Sequence, residues 1–592
     1  MENGRSSPGY KEEAVESKCQ SVDSEIDLLA FYEDRAGRLV VDPQEARIEF
    51  GDAVASKLKL SKDGTKVLWP QPSDDPEDPQ NWSNLRKTVQ LIIITLAAIT
   101  PDFDSGVGIA AIFALAKQYG TTTGVINNLT SNWSIFLLGW GGIFAVMLMR
   151  RYGRLPVLFW SQVLALGFLV GCTFAPNLKT FAAMRCLTAF FATCPQVTGL
   201  YVVTDMYPFH LQARKLNVWT MGFIISAFLS PFAFGFLVAR ANWRWTYGVA
   251  SIYGAVVVSL IMFFGEETLY DRSFKPVPPR PTAGVRYRTE TLLGLTGLKM
   301  ARYRPSVVSG LVSHLNVLWR PHLLGVLLFE AFVFGFAIGI NVTMAVFLGT
   351  PPPVGFGWSQ YATAAGYATP IALLIGEITG RYANDWIQGW SIRRNKGVFE
   401  AESRLWACYI AIPLYICGFI VLGASLQNHL SAGALVMGWG IAEVAVMVNT
   451  VAVYAYCNDC FPKNHGEVSS LVNLMRTLGG FAVAYFQVPW AEKHGALQVF
   501  GCEAAIVAGL FLLIVPALQL KGRYLRVRDH DVQSDLGANH GPLGAFLDLN
   551  VAYFMMYLYL IMFMLFVSRV RDGCSGESIS SRRTDPLWGI PA

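Results

Sequence analysis

Charge is scarce in this sequence. Asp, Glu, Lys and Arg make up 15% of its 592 residues and hydrophobic residues 53%, against about 25% charged in an ordinary soluble domain, so most of the chain needs an apolar solvent. The formal net charge of +5 is small for this length and does not suggest nucleic-acid binding. No G-x-x-x-x-G-K-[ST] loop is present, which excludes ATP as the energy source. Nucleophile elbows and H-E-x-x-H are missing too, which leaves an enzyme without a visible centre. The ten cysteines are scattered, and Cys172, Cys186, Cys194, Cys408, Cys417, Cys457 and Cys502 lie in or beside apolar segments. They read as small core residues rather than a disulfide framework. Cys457 and Cys460 have CxxC spacing but no second pair and no His cluster nearby, so neither a metal nor another cofactor is expected. A cleavable secretory signal is also lacking, since the first 80 residues are polar and the first apolar run starts near Thr88.

What is present is a series of twelve apolar segments in two groups of six. A helix needs roughly 20 apolar residues at about 1.5 Å each to cross a 30 Å hydrocarbon core. The pattern therefore predicts an all-α membrane protein of two six-helix bundles. Its parts are a cytoplasmic polar leader (1–84), an N-terminal bundle (85–264), a basic central loop (265–321), a C-terminal bundle (322–525) and a tail (526–592) with a further apolar run at 551–567. Proline and acidic residues before Trp82 predict an extended tether for the leader. The 17-residue run at 551–567 is barely long enough to span. A thirteenth span would put Arg569, Arg571, Arg582 and Arg583 outside, so a surface-lying segment or a gene-model artefact is an equal alternative.

Basic residues fix the orientation. Arg150, Arg151 and Arg154, then Arg214 and Lys215, the central loop, and Arg393, Arg394, Lys396 and Arg404 all fall in even-numbered connections, which are therefore cytoplasmic. The halves also look like copies of one another. Span four ends in Asp205-Met-Tyr-Pro208 and span ten in Asp459-Cys-Phe-Pro462, so Asp205 and Asp459 occupy equivalent places. Repeated halves with a substrate cavity between them near the bilayer midplane are a transporter architecture.

Ionisable residues inside apolar spans are costly and are functional candidates by default. Asp102 and Asp104 in span one and Arg185 in span four fall in the same outer half of the membrane, where protonating an aspartate would release the arginine. Asp104, two residues further beyond Pro101, is preferred over Asp102 for proton coupling. A static ion pair or an aqueous vestibule is the alternative. In the second half, Glu443 lies roughly 18 Å into span ten at 1.5 Å per residue and is the first choice for binding a cationic group. Glu330 is a further substrate-site candidate, although pairing between Glu330 and Arg476 would be structural. Glu377 is expected to anchor a loop. Tyr201, Trp219 and Tyr454 offer faces for a cation, with ordinary packing as the alternative for each. Asn128 heads an Asn-Leu-Thr acceptor signature on the outer side, close to span two.

Several motifs together carry a resemblance: Asp78-Pro-Gln-Asn-Trp82 ahead of Arg86-Lys87, Arg151-Tyr-Gly153-Arg154-Leu-Pro between spans two and three, Arg185 in span four, and Gly222, Ser226, Pro231 and Gly235 in span five. Trp243-Arg-Trp245, Glu266-Glu-Thr-Leu-Tyr270 and Glu402-Ser-Arg-Leu405 add to it. Over about residues 74–525 the chain resembles the major facilitator superfamily and, within it, fungal drug:proton antiporters, whose relatives move polyamines, drugs or secondary metabolites. Arg150 stands where the family has an acidic residue, and Ser226 and Ser230 stand at two glycine positions of the span-five motif. The resemblance implies alternating access in a monomer, with protons, a cationic or amphipathic organic solute and the bilayer as partners. Gating or structural roles are expected for Arg151, Gly153, Arg154, Asp205, Asp459, Glu377, Arg476 and Pro231, and residence in the plasma membrane, with the vacuolar membrane as the alternative. The alternative from a different class is a transporter-like nutrient sensor without significant flux.

Overall fold

The computed structural model of the protein describes residues 39–40, 42–61, 63–270, 284–352, 355–368, 370–394, 398–461 and 464–539. Twelve long helices dominate it. The first six are α1 (Asn84–Ala110), α2 (Thr123–Tyr152), α3 (Arg154–Phe174), α4 (Leu178–Met206), α5 (Phe209–Arg240) and α6 (Arg244–Phe264). The second six are α7 (Pro321–Gly349), α8 (a short Gln360–Gly366 leading into Pro370–Arg394), α9 (Ala401–Gln427), α10 (Ala432–Cys460), α11 (His465–His494) and α12 (Ala496–Asn539).

Ten of these helices are long and apolar enough to cross a membrane by length and composition among the described residues. The other two, α8 and α11, are more polar. Most of α11 is enclosed by protein, from Glu467 through Arg476 to Gln487, and a helix that meets protein on most sides needs no apolar stripe for lipid. By contrast Ile92, Trp160, Ile252, Phe263, Leu512 and Leu513 are large, apolar and exposed. They form the surface that faces lipid.

Local signals set the helix ends. The Ser83 hydroxyl accepts from Arg86 N at 3.3 Å to cap α1, and Ser431 accepts from Ala434 N at 3.3 Å to cap α10. Gly495, at φ +87°, turns the chain between α11 and α12. Within each half, matched pairs cross closely. The α1–α5 contact is repeated as α7–α11. A Cβ on Gly106 would lie 2.6 Å from Pro231 Cδ, and one on Gly335 would lie 2.8 Å from the Gly479 backbone. Small residues let the backbones approach, as membrane helices require where no hydrophobic force separates them from lipid. Between halves, α2 packs on α11 and α5 on α8, the pairs that a two-fold relation of the halves would exchange.

The described part of the leader is folded, not an extended tether. Asp78 caps the turn Pro79–Asn81, Trp82 is buried, and Phe209 N at the start of α5 donates to Trp69 O at 2.8 Å. Strand β1 (Leu39–Val40) pairs antiparallel with β2 (Val398–Phe399) in the α8–α9 connection. The central loop also holds helices, Val285–Leu293, Leu295–Met300 and Val307–Leu318. Helix α12 continues well past the expected end of its apolar run, and the run at 551–567 lies outside the described residues.

Candidate transport site

A cavity of about 80 Å³ lies between the halves, lined by α1, α2, α4 and α5 on one side and α7, α10 and α11 on the other. Its wall is apolar apart from a few polar groups, chiefly Asp102, Gln196, Asn341, Glu443, Asn473 and Arg476. Gln196 Nε2 donates to Asp102 Oδ2 at 2.7 Å, and Trp439 Nε1 donates to Glu443 Oε1 at 3.0 Å. Proline shapes the wall as well. Pro231 has no N–H for the carbonyl of Ala227 one turn earlier, and Asn341 Nδ2, from the opposite half, approaches that carbonyl at 3.3 Å.

The two aspartates of α1 part company. Residues two apart on a helix stand about 200° apart, so Asp102 faces the cavity, within reach of the Arg476 charge. Asp104 turns into the N-terminal bundle toward Arg185, and the two are only 2% and 1% exposed. They share a compartment without a direct ion pair: neither Asp104 oxygen has a hydrogen-bond partner among the described residues. Arg185 lies instead 5.8 Å from the Tyr247 ring centroid.

Other expected placements change. Glu330 is fully buried away from the cavity, accepting from Asn449 Nδ2 at 3.0 Å and Thr450 Oγ1 at 2.7 Å. Arg476 forms no ion pair with it; the guanidinium lies 3.3 Å from the Phe334 ring centroid. Trp219 is a packing residue whose indole donates to Pro195 O at 3.2 Å against Gly199. Tyr454 meets Arg476 Nη1 at 3.5 Å but does not line the cavity. Nor does Tyr201, which belongs to the inner end. The side chain of Glu377 lies outside the described residues. Asn128 sits in a π-helical turn opening α2, where Tyr485 Oη donates to it at 2.5 Å; the acceptor signature is thus not in a loop.

At the end that carries the basic connections, the inner end of the sequence reading, one acid gathers the contacts. Glu467 of α11 is fully buried and takes the Arg150 guanidinium from α2, the Tyr201 hydroxyl from α4 at 2.9 Å and the Ser313 hydroxyl at 3.0 Å. Gly466 lets the Tyr201 ring press against the backbone, since a Cβ there would lie 1.9 Å from it. Arg150 therefore finds its acid in the other half. Beside this latch, Arg154 meets Asp205 through Nε at 2.5 Å and Nη2 at 3.1 Å, and Arg404 meets Asp459 at 3.0 Å. These equivalent pairs staple the inner ends of α3 to α4 and α9 to α10. Glu267 caps the start of α3, accepting from Arg154 N at 2.9 Å and Leu155 N at 3.2 Å. Burial raises its carboxyl above the ordinary range, against the backbone donors of Leu269 and Arg154. Gly153, at φ +106°, leaves the room this needs, because a Cβ would lie 2.6 Å from Glu267 Oε2. Arg151 is peripheral, reaching Pro305 O at 3.5 Å.

The outer end is closed too. Gln360 Nε2 of α8 donates at 2.9 Å to the Ala110 carbonyl at the end of α1, and Gly235 of α5 abuts Ala364 of α8. Contacts between the halves therefore lie at both ends of the cavity. Reading only the ionisable residues of the spans misses the amides Gln196, Asn341 and Asn473. A search for amides inside apolar spans finds them.

A sequence model described as the Major Facilitator Superfamily matches residues 93–484. Among curated relatives, the efflux pump radE of Floropilus chiversii is 23% identical over 540 residues, 88% of this chain and 97% of that protein. The MFS-type transporter hepF of Aspergillus oryzae is 25% identical over 484 residues, 78% of this chain and 94% of that one. In fold the chain is similar to the proton:xylose symporter XylE bound to 6-bromo-6-deoxy-D-glucose, with a TM-score of 0.51 at 13% identity over 74% of this chain and 97% of that one. XylE from E. coli in a partially occluded inward-open conformation gives a TM-score of 0.50 at 14% identity, covering 73% and 98%. The family match, the transporter relatives and the paired six-helix halves agree: the chain belongs to the Major Facilitator Superfamily and is an integral membrane transporter of small molecules, not an enzyme.

Proposed function

We propose that the protein is a proton-coupled secondary transporter that carries an amphipathic organic solute with a cationic group by alternating access, working as an efflux pump of the plasma membrane. The observation that carries this reading is the cavity itself: it is lined by both halves, has contacts between the halves at either end and holds two carboxylates, Asp102 and Glu443, in a mostly apolar wall. A solute's aromatic or aliphatic body meets Phe228, Phe334 and Met447, while its cation meets Glu443. Asp104 beside Arg185 is the proton-carrying group, because an aspartate that alternates between a proton and a nearby guanidinium links charge state to helix position. A relative is named an efflux pump, which supports the direction.

The test is a panel of matched cationic and neutral solutes assayed on wild type and Glu443→Gln at equal surface expression. The buried carboxylate gives a cation a charge-assisted contact, roughly twice as strong as the hydrogen bond left to a neutral solute. Glu443→Gln is expected to reduce cation transport tenfold or more and neutral transport at most threefold. Equal losses across the panel would remove Glu443 from the site.

A further inference from the structure

The proposed cation contact accounts for the acids of the cavity and leaves its donors unexplained. Arg476 is 4% exposed and lines the cavity, and its Nε has no hydrogen-bond partner among the described residues. Its one hydrogen-bond contact among the described residues is the Tyr454 hydroxyl at 3.5 Å, a weak one. No carboxylate lies within ion-pair distance of it among the described residues; the Phe334 ring supports the guanidinium from one side. One turn earlier on α11, Asn473 is 4% exposed, also lines the cavity, and its Nδ2 has no hydrogen-bond partner among the described residues. Residues three apart on a helix share a face. Two buried donor groups thus stand together on the α11 wall, and a buried guanidinium without a hydrogen-bonded counter-ion is costly unless something supplies one.

Resting on the transporter reading above, we propose that the solute is amphoteric: its acidic group is taken by Arg476 Nε and Asn473 Nδ2 on α11, while its basic group is taken by Glu443 on α10. A planar guanidinium suits a carboxylate or a comparable oxyacid because its donors lie in a fixed fork. Asp102, which accepts from Gln196, supplies the charge that balances Arg476 when the cavity is empty. An arriving acid takes over that balance.

The proposal is tested by equilibrium binding to the purified full-length protein, using matched sets built on one aromatic scaffold each, norfloxacin among them. Each set holds the amphoteric compound, its ethyl ester, which is cationic only, and its N-acetyl derivative, which is acidic only. Wild type is expected to bind the amphoteric form at least tenfold more tightly than the ester. Arg476→Gln should bring that ratio to within twofold of one, Arg476→Lys should retain part of it, and Asn473→Ala should lower it three- to tenfold. An amphoteric-to-ester ratio near one in wild type, or a ratio that all three variants leave alone, overturns the proposal, while ester binding that depends on Glu443 still upholds the cation site. If neither form binds in any set, the cation reading falls and this proposal with it. Should Arg476→Gln not fold, the lysine and Asn473 variants decide.

Discussion

Asp104 and Asp102 show how much a single residue's phase on a helix decides. They are neighbours in sequence, yet one faces Arg185 inside the N-terminal bundle and the other faces the cavity. We expect Asp104→Asn and Arg185→Ala each to abolish gradient-driven transport while the protein still reaches the membrane, read as flux normalised to surface expression. Normal accumulation by Asp104→Asn would move the proton to another acid. The paired staples allow a stability prediction. Arg404 and Asp459 are almost fully buried, and Arg154 and Asp205 nearly so. Removing one partner of a buried pair leaves the other uncompensated at a cost of about 3–5 kcal/mol. Asp459→Ala and Asp205→Ala should therefore lower the melting temperature of the purified protein, and double variants that also remove Arg404 or Arg154 should be less destabilised than the sum of the singles. Additive losses would mean that the pairs do not couple. The acids and bases were legible as residues, since charge inside an apolar span stands out. Their partners were not, because partnership depends on helix phase and on which helices meet. Glu330 bonding to Asn449 rather than Arg476 is a case in point.

At the level of helices, the ends of the cavity are closed by different chemistry. The inner end depends on a charge and two hydroxyls converging on Glu467, and the outer end on the close approach of Gly235 to Ala364 and on Gln360. Glu467→Ala should weaken the inner closure, and Gly235→Val should hold α5 away from α8. A cysteine at the cavity residue Leu138, placed in a background cleared of reactive native cysteines, reports both. Membrane-impermeant maleimide is expected to label it severalfold faster from the inner side in Glu467→Ala and from the outer side in Gly235→Val. The reverse sidedness would contradict the assignment of the two ends. Helix number and the two-half repeat could be read from apolar run lengths and from the recurring Asp-x-aromatic-Pro. The folded leader and the helices of the central loop could not, because short polar segments owe their structure to what they dock on. Glu467 is hidden from the sequence as well: it lies near a helix start, where an acid reads as a solvated end, and only the meeting of α2, α4 and α11 makes it a latch.

As a whole, the molecule is two bundles that share a cavity and touch at both mouths, and transport requires one set of mouth contacts to break while the other holds. In the proposed mechanism a proton taken up inside the N-terminal bundle biases which mouth opens. The measurement that tests it most directly is solute flux in proteoliposomes with an imposed pH gradient. Solute is predicted to accumulate against its own gradient while the pH difference lasts and to leak back when a protonophore collapses it. Equilibrating flux that ignores the pH gradient would contradict the account and leave a facilitator, and no flux of any solute in the cationic and amphoteric panels would leave a sensor built on the transporter fold.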